Sequence, residues 1–203
     1  MIGIAGPSGS GKSVLAERLA DELRRAAPVV LPLDCYYRSL PGMSAGRFEA
    51  HNLDEPDALD GELLVRQLRA LARGRAIERP HYDYVAHVRL SETTAVSPGG
   101  VVIVEGLFTL YWPAVRRLLH TRVYVDTADG ICFERRMARD LRERACTPEE
   151  VRRRYERTVR PMAERYVLPT RAHADVVVRG DGALDAAVAA VLRHMDSLTA
   201  PEG

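Results

Sequence analysis

The chain alternates short apolar runs with longer periodic ones. Residues 1–5, 29–33, 101–105, 122–126 and 175–178 are short, rich in Val or Ile, and lack clean polar alternation. That pattern predicts buried parallel strands covered on both faces. Helical periods fill the gaps. One begins at Gly11 and runs toward Ala26, with Val14, Leu15, Leu19 and Leu23 on one stripe; a second spans about 62–73, with Leu64, Leu68 and Leu71. A third follows Thr127, read as its N-cap, and carries Phe133, Met137 and Leu141 four residues apart. Thr147-Pro148-Glu149-Glu150 reads as a capping box with Pro at the first helical position, and a last helix covers about 183–195. Residues 77–97 alternate polar and apolar, as a hairpin inserted into the pattern. Strand–helix alternation predicts one α/β domain over residues 1–203, with a five-stranded parallel sheet flanked by helices.

Composition narrows the function. With 46% hydrophobic and 28% charged residues, the chain is ordinary for a folded protein, and a net charge of +1 argues against a protein built to coat nucleic acid. Cys35, Cys132 and Cys146 lie far apart without CxxC spacing, which suits a reducing compartment and offers neither a metal nor a disulfide framework. Residues 1–5 already read as a strand, and runs such as 101–104 fall far short of the ~20 apolar residues of a membrane span. A cytoplasmic protein without membrane contact is the expectation. Of the 29 basic residues every one but Lys12 is Arg. An ammonium is a compact point charge and a guanidinium a planar fork, so the single Lys marks a position where Arg does not substitute.

Lys12 belongs to Gly6-Pro7-Ser8-Gly9-Ser10-Gly11-Lys12-Ser13, a full GxxxxGK[ST] match between a predicted strand and a predicted helix. The glycines let backbone N–H groups point at phosphate oxygens, and the helix N-terminus favours negative charge. Lys12 is expected on the β- and γ-phosphates of ATP and the Ser13 hydroxyl on Mg²⁺. These eight residues predict a P-loop NTPase fold. The only Asn is Asn52, followed by Leu53-Asp54, so the guanine-reading NKxD of GTPase switches is missing. A kinase suits the size.

Two carboxylates end strands at the same edge. Glu105 closes the run 101–105 and is expected to hold Mg²⁺ directly or through water. Asp34 closes 29–33, where it is placed to take the proton of an attacking hydroxyl and to neighbour the metal; capping the next segment is the structural alternative. From Glu134 to Arg171 there are 12 arginines against seven acidic residues. Such a cluster can close over phosphates as a lid, or form a solvated helix laced with pairs such as Glu149 and Arg153.

Beyond the P-loop the chain resembles uridine/cytidine kinases of the phosphoribulokinase/uridine kinase superfamily in five successive stretches. They are Asp34-Cys35-Tyr36-Tyr37; Asn52-Leu53-Asp54-Glu55-Pro56-Asp57-Ala58-Leu59-Asp60; Pro80-His81-Tyr82-Asp83-Tyr84-Val85-Ala86-His87-Val88-Arg89; Val104-Glu105-Gly106; and Arg135-Arg136-Met137-Ala138-Arg139-Asp140 with the segment from Pro161 to Val177. The resemblance implies a nucleoside-monophosphate-kinase-like fold with a hairpin over the acceptor and a helical lid over about 134–171. It implies Asp34 as base toward a ribose 5′-hydroxyl, Tyr37 in the nucleoside pocket, and Asp54 with Arg136 on the ribose hydroxyls. Tyr82, Tyr84 and His87 would cover the base, and Arg139 with Arg144 would clamp the transferring phosphate. ATP and a pyrimidine nucleoside are the implied partners, and a homo-oligomer the implied assembly.

The sequence departs from the family pattern at Arg144-Ala145-Cys146-Thr147, where the family carries R-G-R-D. It departs again at Arg154 in place of a Gln, Leu53 in place of a Phe, and Cys35 in place of a small hydroxyl residue. Phosphorylation of uridine or cytidine by ATP is the expected reaction. Kinases of nicotinamide riboside, pantothenate or ribulose phosphate, a non-catalytic nucleotide-binding regulator, and a nucleic-acid-binding ATPase are the rival readings.

Overall fold

The computed structural model describes residues 1–39, 52–84, 86–143 and 146–199. Along the chain run β1 (Ile2–Ala5), α1 (Lys12–Glu22), β2 (Val29–Pro32), α2 (Gly61–Ala72), β3 (Ile77–Asp83), β4 (Val88–Val96), β5 (Val102–Glu105), α3 (Pro113–Arg116), β6 (Thr121–Asp126), α4 (Asp129–Glu143), α5 (Pro148–Arg154), α6 (Arg160–Met162), β7 (Val176–Arg179) and α7 (Leu184–Thr199). Five strands form one sheet in the order β2-β5-β1-β6-β7, with every neighbouring pair parallel.

Pleating sends alternate side chains to opposite faces, and each face has its own core. Ile2, Ile4, Ile103, Val123 and Val125 pack with Leu15 and Leu19 of α1 and Val188 and Val191 of α7. Val102, Val104 and Tyr124 point the other way, toward Leu64, Leu68 and Leu71 of α2 and toward Phe108 and Leu110. Burying strands on both faces explains their unbroken apolar sequence. All five expected strands are present with ends shifted by a residue. Leu33, for instance, leaves the strand and opens a short 3₁₀ turn, Leu33–Tyr36.

The expected hairpin is β3 and β4, an antiparallel pair whose register shifts between Pro80 and Tyr82. Pro80 has no N–H to give the ladder, which suits an irregularity there. Arg89 fastens the hairpin to the segment after β2. Its guanidinium donates to the carbonyls of Tyr36 (2.6 Å) and Tyr37 (3.0 Å) and to the Asp60 carboxylate (3.2 Å). Tyr36 adds a second tie, donating to Gln67, which donates in turn to the Glu78 carbonyl.

Three local expectations are corrected. Thr127 does not cap α4; its hydroxyl donates to the Ser10 carbonyl at 3.0 Å, and the helix starts two residues later. Val14, placed on the inward stripe of α1, is 54% exposed, and Leu15, Ala16 and Leu19 form the buried face instead. In α4 the inward residues are Cys132, Arg136 and Asp140, whereas Leu141 is exposed. This helix turns its polar side to the interior because buried carboxylates and the P-loop receive it there. The capping box at Thr147 and Glu150 forms as read. After α5 the helical path widens into π turns at Tyr155–Val159 and Ala163–Val167, on either side of α6. Pro161 removes a backbone donor from this run, which disfavours regular α-helix. Among the described residues no helix is long and apolar enough to cross a membrane.

Candidate active site

The carboxyl ends of β1, β2 and β5 meet at the point where the sheet order switches direction, a crevice this class of sheet opens to ligands. The loop after β1 is the GxxxxGKS segment. Its backbone is drawn tight by a hydrogen bond from the Ser10 N–H to the Pro7 carbonyl, 3.1 Å. Gly9 has φ 81°, and a Cβ there would lie 2.4 Å from the Cys132 carbonyl oxygen, so only glycine passes between this loop and α4. The Lys12 ammonium donates to the Pro7 carbonyl at 2.8 Å and is buried.

β5 sits between β1 and β2, with Glu105 in register with Ile4 and Pro32. Its carboxylate, 8% exposed, accepts from the Ser13 hydroxyl at 3.1 Å. Burial pushes the Glu105 carboxyl above its ordinary value, against the opposing pull of Lys12, while the charge of Asp34 adds to the rise. Burial lowers Lys12, and Glu105 and Asp34 counter it. The three groups therefore share one weakly solvated space at the mouth of the loop. Among the described residues no group of three His, Cys, Asp or Glu side chains has the spacing of a protein-built metal cage. One hydroxyl and two carboxylates are nevertheless hard oxygen donors of the kind Mg²⁺ takes when phosphates and waters complete its shell.

A cavity of about 590 Å³ extends from this point. Asp34, Glu105, Lys12 and Ser13 line one end, with Ser8, Gly9 and Gly11 of the loop; Gly6, Pro7 and Ser10 lie outside its lining. Tyr37, Tyr82, Tyr84 and His87 form an aromatic wall. The Tyr82 ring stands 5.2 Å from Tyr37, 5.3 Å from Tyr84 and 6.3 Å from His87, mostly in tilted or edge-on contacts. Tyr82 is buried, its hydroxyl is pushed up to about 12 by that burial, and the oxygen has no hydrogen-bond partner among the described residues. His87 turns the hairpin with φ 56°.

The opposite wall comes from α4 and the π turn. Buried Arg136 donates to the Ser8 hydroxyl at 3.0 Å and lies 3.9 Å from Asp54 and 3.3 Å from Asp140. Arg139 lines the cavity as well, and Arg144 lies outside the described residues. All the other residues singled out for acceptor and metal binding are thus gathered around one space.

Some lining groups escaped sequence reasoning. Thr158 donates to the free oxygen of Asp54 at 3.1 Å, or to the Arg154 carbonyl at 3.0 Å. Arg135 donates to the Gly180 carbonyl at 2.9 Å and borders both this cavity and a second one of about 390 Å³. That second space opens beside Gly11 and Val14, against Gly180 and Leu184.

The family model described as Phosphoribulokinase / Uridine kinase family matches residues 1–185. The chain belongs to this family. Relatives within it include the uridine kinase of Vibrio cholerae, 39% identical over 202 residues, which are 98% of this chain and 95% of that protein. The uridine kinase of Escherichia coli is 41% identical over 186 residues, 90% of this chain and 87% of that protein. By fold the chain is similar to phosphoribulokinase from Rhodobacter spheroides, with TM-score 0.66 at 16% identity over 88% of this chain and 69% of that one. D-glycerate 3-kinase from Cryptococcus neoformans gives TM-score 0.62 at 18% identity over 81% and 78%. Family membership bears out the resemblance read from the five stretches and the P-loop kinase fold expected from them.

Proposed function

We propose that residues 1–203 form one kinase domain that transfers the γ-phosphoryl group of ATP to the 5′-hydroxyl of uridine or cytidine. The observation that carries this is the single cavity joining the P-loop and two carboxylates to an aromatic wall and a buried Asp–Arg pair. Uridine kinases that match nearly the whole chain at about 40% identity support the same acceptor.

In this reading the loop of residues 6–13 cradles the triphosphate, and Lys12 draws charge from the β- and γ-oxygens. The second cavity, beside Gly11 and Gly180, receives the donor's base. Ser13, Glu105 and Asp34 would hold Mg²⁺, which supplies charge neutralisation at the phosphates. Asp54 accepts from the vicinal ribose hydroxyls and Arg136 donates to them. Tyr37, Tyr82, Tyr84 and His87 enclose the pyrimidine, with the buried Tyr82 hydroxyl as one polar contact. The 5′-oxygen then attacks the γ-phosphorus as the bond to the β–γ bridging oxygen breaks. Asp34 takes the hydroxyl proton, and Arg139 with Arg144 neutralises the equatorial oxygens.

The test is ADP release with Mg-ATP and, in turn, uridine, cytidine, adenosine, nicotinamide riboside, pantothenate or no acceptor. Release confined to uridine and cytidine is expected. Release with another acceptor alone would keep the kinase and overturn the nucleoside; nucleotide binding without acceptor-dependent release would overturn the kinase.

A further inference from the structure

Helix α4 buries a stripe of residues one turn apart, and its deepest charged member is Asp140, 1% exposed. Among the described residues, two arginines meet its two oxygens. Arg139 donates through Nε (3.0 Å) and Nη2 (2.9 Å) to Oδ1, and Arg136 Nε forms an ion pair with Oδ2 at 3.3 Å without hydrogen-bond geometry. Arg136 and Asp140 are neighbours on a helix by their i, i+4 spacing, but adjacent residues such as Arg139 and Asp140 ordinarily point apart. Here the Arg139 side chain folds back along the helix to reach the carboxylate. Asp140 itself does not line the cavity, whereas both arginines do.

We propose that Asp140 is a positioning residue: its single buried carboxylate holds Arg136 on the acceptor and Arg139 on the transferring phosphate as one unit. This rests on the kinase reading above. Two guanidinium groups three residues apart repel one another, and each long side chain loses rotamer freedom when held. A fixed carboxylate between them offsets both effects before substrate arrives. Arg136 carries the arrangement onward to the Ser8 hydroxyl of the P-loop and toward Asp54, so the donor and acceptor halves share one anchor.

Asp140→Asn keeps the shape and removes the charge. It is expected to lower kcat by about 10²-fold, as an ångström of misplacement does at a reacting centre, and to raise the KM for uridine. The decisive comparison is the same change made in Arg139→Ala. There the kcat effect should shrink to within about threefold, because the group it positioned is gone, while the effect on acceptor KM through Arg136 persists. A role confined to helix packing would move melting temperature and add in full to the Arg139→Ala loss, and that outcome overturns the proposal. Should Asp140→Asn not fold, Asp140→Glu keeps the charge and displaces both arginines by one methylene; wild-type kcat in it would equally overturn the proposal. No acceptor-dependent ADP release from the wild type would remove the kinase reading itself. Normal wild-type turnover with unaffected Asp140 variants would remove only the role of Asp140.

Discussion

Asp34→Asn separates chemistry from binding more cleanly than any other single change in this protein. Asp34 is the second residue of the 3₁₀ turn after β2 and faces the cavity beside Lys12 and Glu105. The amide replaces the carboxylate at equal size, so packing is untouched. Electrostatically two effects oppose each other: Lys12 loses an attractive neighbour, and Glu105 loses a repulsive one. Stability of the unliganded protein should therefore change by less than about 1 kcal/mol. A lost general base costs about 10²–10⁴ in kcat, which is about 2.7–5.5 kcal/mol of activation free energy. Nucleotide binding is read by thermal unfolding with Mg-ATP at about 100 times its dissociation constant, where binding stabilises by about 2.7 kcal/mol. For a chain near 200 residues that is a rise of roughly 5–11 °C in melting temperature. The expected result is the full ATP-dependent rise with turnover on uridine lost. Wild-type kcat in the variant would refute the role of Asp34 as base. Loss of the ATP-dependent rise together with turnover would show that its part is in holding the metal–nucleotide complex instead.

Three other changes test neighbouring claims. Gly9→Ala sets a Cβ against the Cys132 carbonyl at a positive φ, so the loop must shift; the ATP-dependent rise in melting temperature should disappear while the sheet still folds. Glu105 carries a pH signature. Because burial raises its folded pKa above the ordinary 4.5, the native state binds the extra proton, so this contribution favours the fold at low pH and is lost as pH rises through the raised value. Without ligands, the melting temperature of Glu105→Gln should therefore gain on wild type as pH climbs from about 4.5 toward 7, while turnover is lost; a constant gap would contradict the assignment. Tyr82→Phe removes a buried hydroxyl that has no protein partner among the described residues, so stability should hold or improve slightly. If that hydroxyl serves the acceptor, uridine KM should rise by about fivefold, the worth of one hydrogen bond of roughly 1 kcal/mol, with kcat little changed.

Legibility in the sequence followed the range of the interaction. The P-loop was legible because eight contiguous residues encode it, and Asp34 and Glu105 because each ends an apolar strand whose parallel packing fixes which edge it meets. The capping box at Thr147 is similarly local. Contacts across many residues were not legible. Thr127 looked like a helix cap, yet its hydroxyl is used 117 residues back by the Ser10 carbonyl. Thr158 reads as an ordinary helical residue until a π turn, set by Pro161 downstream, brings it to Asp54 104 residues away. Helix α4 misled most directly. Phe133, Met137 and Leu141 form an apolar stripe of good period, but Phe133 is taken up by the Tyr155 ring at 4.8 Å and Leu141 faces solvent. The inward stripe is charged, and an Arg–Asp spacing in an Arg-rich helix looks the same in sequence whether it is buried or solvated.

The division between shared and particular parts of the fold explains where acceptor choice must reside. Phosphoribulokinase and D-glycerate 3-kinase match this chain in fold at 16% and 18% identity, so the sheet and helices tolerate near-complete replacement of their side chains. A strand edge carrying a phosphate loop needs only buried apolar strands and glycines at a few angles, and it holds no information about the molecule to be phosphorylated. That information has to come from side chains outside the sheet. In the proposed reading they are the cavity-lining rings of Tyr82, Tyr84 and His87 on a two-stranded hairpin, and Thr158 on a π turn. Neither element is hydrogen-bonded into the five-stranded sheet. Each is tied down by a few polar contacts, Arg89 to the Tyr36 and Tyr37 carbonyls in one case and Thr158 to Asp54 in the other. The hairpin also packs Ile77 and Tyr82 into the core that holds Ala5, Val102 and Val104, so acceptor specificity is altered with least disturbance at the cavity-facing side chains rather than by loosening the hairpin itself.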